Sequence, residues 1–251
     1  TGEADGFGGT IQVEVKIEKN KISSTKQSGI FIQPGGKVKT ITSNTITSTK
    51  HRGIAINSVK CDMTVNKNKV SKCSNTPIYL NPKSTTYTVT IQDNQFTGKK
   101  NITGIHVATG KVCITGNTIK SCNRAILVSD PAKGTVKTNK FSKNKYNNAR
   151  IGGKDYANLK KVVPSATAKG KSSITLKWKS VSKASSYTVY RATSKNGTYK
   201  KCGTCSSTSF KDTKLKKGKT YYYKVVPTTN NNRAKVTVMG PDSKIVSAKA
   251  K

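Results

Sequence analysis

Apolar and polar residues in the first half of the chain alternate in short runs, and the runs repeat. Six asparagines, Asn20, Asn44, Asn68, Asn94, Asn117 and Asn139, recur at intervals of 22 to 26 residues, each with an apolar residue three before it and another two after it. The frames are Ile17/Asn20/Ile22, Ile41/Asn44/Ile46, Val65/Asn68/Val70, Ile91/Asn94/Phe96, Ile114/Asn117/Ile119 and Val136/Asn139/Phe141. A second apolar motif begins eight to ten residues after each asparagine: Gly29-Ile30-Phe31-Ile32, Gly53-Ile54-Ala55-Ile56, Pro77-Ile78-Tyr79-Leu80, Gly104-Ile105-His106-Val107, Ala125-Ile126-Leu127-Val128 and the weaker Ala149-Arg150-Ile151. Strict alternation over three to five residues predicts strands, and a fixed period predicts a repeat architecture.

A repeat of this length with a strand every seven to nine residues is too short for a helix-containing unit. It suits one rung of a parallel β-helix, in which equivalent positions stack at the sheet spacing of about 4.8 Å and neighbouring rungs bury one another's apolar side chains. The asparagine is predicted to take the left-handed conformation at a tight turn, with its amide hydrogen-bonded from rung to rung as a ladder.

From Lys160 the asparagine frame disappears. Short alternating strands follow, at Ile174–Trp178, Tyr187–Arg191, Tyr199 onward, Tyr221–Val226 and Lys244–Ala248, with turn signals at Lys195-Asn196-Gly197 and Lys216-Lys217-Gly218. This pattern predicts an antiparallel sandwich. The expected fold is therefore all-β in two domains: a parallel β-helix of about six coils over 1–156, and a β-sandwich over 157–251.

The repeated segment resembles the right-handed parallel β-helix of the pectate-lyase-like superfamily, the asparagine column matching that family's turn ladder. The second segment resembles a bacterial fibronectin type III domain: Trp178 stands in the early strand, Tyr187-x-Val189-Tyr190-Arg191 in the next, and Leu215-x-x-Gly218-x-x-Tyr221 looks like the corner tyrosine that fixes the late strand. The first resemblance implies that the Gly-Ile-x-Ile strands form the sheet whose outer face carries the saccharide groove. Modules of the second kind serve extracellular enzymes as spacers or surface-attachment units.

Alternation identifies that outer face. If Ile30 and Ile32 point inward, Phe31 points outward, and the same register assigns Ala55, Tyr79, His106, Leu127 and Arg150. With Arg52 and Arg124 flanking them, these residues form an aromatic and basic stripe able to stack on sugar rings and pair with carboxylates. Phe31, Arg52, Tyr79, His106 and Arg150 are the candidate ligand-binding set. Clustered aspartates for hydrolysis and an acidic calcium cage are both lacking, since only Asp130 lies near the end of a groove strand. Tyr79, His106 and Arg124 have the side chains for a metal-independent elimination, with proton abstraction and carboxylate neutralisation. No metal site and no cofactor is expected.

The net charge is +37, of which +17 falls before Leu159 and +20 after it. A polyanionic partner follows. The bases are 42 lysines against five arginines, a balance that suits diffuse attraction to an acidic polysaccharide or cell-envelope polyanion rather than specific nucleic-acid reading. There is no apolar run of transmembrane length and no signal peptide, and the chain starts at Thr1, so it reads as processed or excised. Residues 1–14 offer no amphipathic plug and six rungs are few, which points to the C-terminal part of a larger secreted, bacterial carbohydrate-active protein. The uncapped coils could also associate end to end. The functional expectation is an extracellular polysaccharide- or cell-wall-binding module; the alternatives are a polysaccharide lyase acting on a uronic-acid glycan and a non-catalytic structural or adhesin segment. Among the six cysteines, Cys73 and Cys122 share a column but lie two rungs apart, roughly 9.6 Å, beyond disulfide reach. Mostly buried thiols are expected, with a Cys202–Cys205 bridge if Gly203 makes a turn.

Overall fold

A computed structural model describes residues 15–34, 37–168, 172–232 and 234–251, and every regular element among them is a strand. The chain divides into two compact units, one of Thr1–Ala157 with Asn231–Val236 and one of Asn158–Asn230 with Thr237–Lys251.

The first unit is a β-solenoid of six coils, each supplying three strands. The first strands are Val15–Glu18, Val38–Thr42, Met63–Asn66, Thr88–Gln92, Lys111–Thr115 and Lys133–Lys137. The second are Lys21–Ser23, Thr45–Thr47, Lys69–Ser71, Gln95–Thr97, Thr118–Lys120 and Lys140–Ser142. The third are Ile30–Ile32, Ile54–Ile56, Ile78–Leu80, Thr103–Val107, Arg124–Val128 and Tyr146–Ile151. Each set forms one parallel sheet. The apolar frame residues pair with one another: Ile17, Ile41, Val65, Ile91, Ile114 and Val136 run down the first sheet. Ile22, Ile46, Val70, Phe96, Ile119 and Phe141 run down the second. In the middle coils these side chains are 0 to 1% exposed, so each rung is buried by the rungs above and below it.

The asparagine ladder is present, but the asparagines do not make the left-handed turn. That conformation belongs to the residue before each one, Lys19, Ser43, Lys67, Asp93, Gly116 and Thr138, with φ between 49° and 67°. The corner is turned one residue early, and the asparagine side chain is thereby aimed into the stack. Asn68 Oδ1 accepts both the backbone N–H and the Nδ2–H of Asn44, each at 2.9 Å. Asn68 Nδ2 donates to the Ile41 carbonyl of the preceding coil and to the Asn66 carbonyl, again at 2.9 Å. The same bonds recur at Asn94 and Asn117, so a buried polar column is satisfied at every step. The glycines that open the third strands have their own cause. A Cβ at Gly53 would collide with Val70 Cγ1 and the Pro77 carbonyl, and one at Gly104 with Ile119 Cγ2 and the Ala125 carbonyl.

The last coil is covered. Strand Lys154–Tyr156 folds back antiparallel on Tyr146–Ile151. Residues Asn231–Val236 close on the same coil: Asn231 Nδ2 donates to the Ile151 carbonyl at 2.6 Å, and Gly134 N–H donates to the Lys235 carbonyl at 3.3 Å. Ile151 is 0% and Val136 3% exposed, so this end of the stack is covered. The expectation for residues 1–14 lies outside the described residues.

The second unit is a β-sandwich. Strands Ser165–Ala168, Ile174–Lys177 and Ser209–Asp212 form one antiparallel sheet. Strands Lys200–Cys205, Ser186–Ala192, Thr220–Asn231 and Val246–Lys249 form the facing one. Leu176, Trp178, Tyr187, Val189, Tyr221, Tyr223 and Val225 fill the space between the sheets. The Trp178 and Tyr187 rings meet edge to face at 5.2 Å. Tyr221 Oη accepts the Lys216 N–H at 3.1 Å, across the corner where Gly218 has φ of 75°.

A Cys202–Cys205 bridge is not formed; all six cysteines are free. Gly203 does not turn the chain. It lies within strand Lys200–Cys205, opposite Val189, at a bulge that takes up one extra residue. Residues three apart on a strand are separated by roughly 10 Å, beyond the reach of a disulfide. Burial raises the Cys122 and Cys202 thiols to about 11, so both are protonated near neutral pH.

Candidate functional site

The outward positions of the third-strand sheet form one column. Phe31, Ala55, Tyr79, His106, Leu127 and Arg150 are successive register partners. Phe31 is 48% exposed, whereas Ala55 is fully buried. Alternation on strands whose flanking residues are core places these six side chains together, and nothing else in the sequence needs to.

Two clusters divide the column. In the first, the Arg52 guanidinium lies 3.8 Å over the Tyr79 ring, and Tyr79 meets His106 edge to face at 5.3 Å. Arg52 Nε is buried without a hydrogen-bond partner among the described residues. His106 Nε2 lies 3.4 Å from Ser129 Oγ. Burial, and secondarily the positive charge of Arg52, lower the His106 pKa below its ordinary 6.5, so the ring is neutral at neutral pH. A neutral imidazole beside a phenol and a guanidinium can accept a proton or a hydrogen bond, and the guanidinium can hold a carboxylate.

The second cluster sits at the last coil. Arg124 Nη1 donates to Asn148 Oδ1 at 2.7 Å and pairs with Asp155 at 2.6 Å, and the guanidinium stacks 4.6 Å over Tyr146. Arg150 pairs with the other oxygen of Asp155 at 3.2 Å. Arg124 thus turns toward the last coil, with its side chain only 14% exposed, and is not grouped with Tyr79 and His106. Arg52 occupies the cationic place beside them. Asp155 escaped the sequence reading because Lys154–Tyr156 is antiparallel and carries none of the repeat's spacing, and Tyr146 and Asn148 because their strand pairs with Arg124–Val128 through a register shift. Among the described residues no three His, Cys, Asp or Glu side chains come together as a metal site, and no helix is long and apolar enough to cross a membrane.

Comparison with curated proteins finds no match. Among solved structures, the chain is similar to the β-1,2-glucanase of Parabacteroides distasonis, at 25% identity over 37% of this chain and 13% of the enzyme, with a TM-score of 0.31. It is also similar to an Fn3-like protein of Clostridium thermocellum, at 27% identity over 36% of this chain and 88% of that one, with a TM-score of 0.29. Both are local similarities. The family described as "right handed beta helix region" matches residues 5–160 and 61–235. The stacked coils and the asparagine column are the physical content of that match, and the chain belongs to the right-handed β-helix family.

Proposed function

We propose that the chain is a binding module for an acidic polysaccharide of the cell envelope, working outside a bacterial cell and using the outer face of the third-strand sheet. The observation that carries the reading is the Arg52–Tyr79–His106 cluster, in line with the exposed ring of Phe31. Tyr79 props the guanidinium flat on the groove floor, so a uronate carboxylate meets donors that are already ordered. Phe31 supplies an apolar platform for a sugar ring, and Arg150 a second cation along the column. The surrounding lysines raise the local concentration of any polyanion without choosing among them. The sandwich is read as a fibronectin type III spacer in a larger secreted protein.

A uronic-acid lyase is the second reading, favoured by the neutral His106 beside Tyr79 and Arg52. One experiment separates the two. The purified chain is incubated with uronic-acid polymers, unsaturated product is followed by ultraviolet absorbance, and retention in affinity gels is scored on the same samples. Retention without product is the expected result. Product would establish the lyase, and absence of both would remove the groove from consideration.

A further inference from the structure

At one end of the sandwich a cavity of about 480 Å³ is lined by Arg191, Thr193, Thr198, Lys200, Lys201 and Asp212, with Ala192 and Cys202 completing its wall. Its charge is unbalanced by construction. Arg191 follows Tyr187 and Val189 on the inward side of its strand, and directly opposite it on the neighbouring strand is Lys200. Like charges facing across an antiparallel pair are destabilising unless something anionic stands between them.

Asp212 does not fill that place. It comes from the other sheet and is 7% exposed. Both its oxygens lie 3.0 Å from Arg191 Nη1, and Oδ2 also accepts the Tyr223 hydroxyl at 2.8 Å. The carboxylate is therefore consumed by one guanidinium nitrogen and one phenol on its buried side. Arg191 Nε and Nη2 make no hydrogen bond among the described residues, and Lys200 and Lys201 are exposed and form no ion pair there. The cavity is thus lined by Lys200, on the same face as Arg191, by half a guanidinium fork and by Thr193 and Thr198, with Lys201 also in its wall. Two carboxylate oxygens cannot use so many donors, whereas the three or four oxygens of a phosphate can. The volume also exceeds what one phosphate needs and falls in the range of small-ligand sites.

We propose that this cavity binds a phosphate group carried on a small polyol or sugar, as a free phosphomonoester or as the repeating unit of a polyol-phosphate polymer. The site is separate from the solenoid groove, and its failure would leave the groove reading untouched. The full chain is titrated by calorimetry at constant ionic strength with inorganic phosphate, glycerol 3-phosphate, and glycerol as the uncharged control. Saturable binding of both phosphates and none of glycerol is expected, with glycerol 3-phosphate the tighter of the two. Replacing Lys200 and Lys201 together by alanine should weaken binding at least about tenfold, while the charge-matched K216A/K217A, outside the cavity, should leave it unchanged. Circular dichroism confirms that each variant is folded. Equal weakening by both double variants, or no saturable binding by the wild-type chain, would overturn the proposal. Binding of inorganic phosphate alone would reject the polyol or sugar moiety.

Discussion

At the residue scale, the ladder asparagines are polar groups whose burial is tolerated only because every neighbour answers them. Replacing Asn68 by alanine would orphan the Asn44 donors above and deprive the Ile41 and Asn66 carbonyls, all at a position 0% exposed. The expected loss is about 3 kcal/mol in chemical denaturation, against less than about 1 kcal/mol for Asn20→Ala at the exposed first coil. Gly53→Ala tests a different cause, since the added methyl must displace Val70 or the Pro77 carbonyl; a loss of about 1–3 kcal/mol is expected. His106 gives a pH test. Its folded pKa lies below the unfolded 6.5, so the unfolded chain takes up a proton first as pH falls. His106 therefore draws stability down from about pH 6.5 until pH drops below its folded pKa, and the denaturation midpoint of His106→Gln should fall less over that window.

At the element scale, what was legible followed from periodicity. Alternation fixed which side of each third strand faces out, because a one-residue slip would bury Phe31, Tyr79 and Arg150 and expose Ile30 and Ile78. What periodicity could not reach were elements without a repeat. The covering segment Asn231–Val236 arises some eighty residues after the coil that it closes, and long-range bonds, Asn231 to Ile151 and Gly134 to Lys235, reveal the connection. The same limit hid Asp155, and with it the reason Arg124 turns away from Tyr79. The Cys-x-x-Cys spacing at 202–205 misled for a related reason. It looked like a local clasp, but Lys200–Cys205 runs extended along Ser186–Ala192, with Gly203 paired to Val189 and Cys205 to Tyr187, and that pairing holds the two sulfurs apart. Thiol titration of the unreduced, denatured chain should accordingly count six free cysteines.

At the scale of the whole molecule, the difficulty for any functional reading is the net charge of +37, which will attract most polyanions. That attraction is screened over about 8 Å at physiological salt, whereas a guanidinium seated 3.8 Å over a ring with its Nε buried is screened much less. Salt therefore separates specific from diffuse binding. The most direct test is affinity electrophoresis in gels containing polygalacturonate at about 0.3 M sodium chloride, a concentration that leaves a Debye length of only about 6 Å. Arg52→Gln removes the proposed carboxylate ligand, and Lys69→Gln removes the same charge from the exposed second-strand face. Retention lost in Arg52→Gln and kept in Lys69→Gln is the predicted result. Equal retention, or equal loss, in the two variants would show that scattered lysine charge accounts for the binding and that the groove plays no part in it.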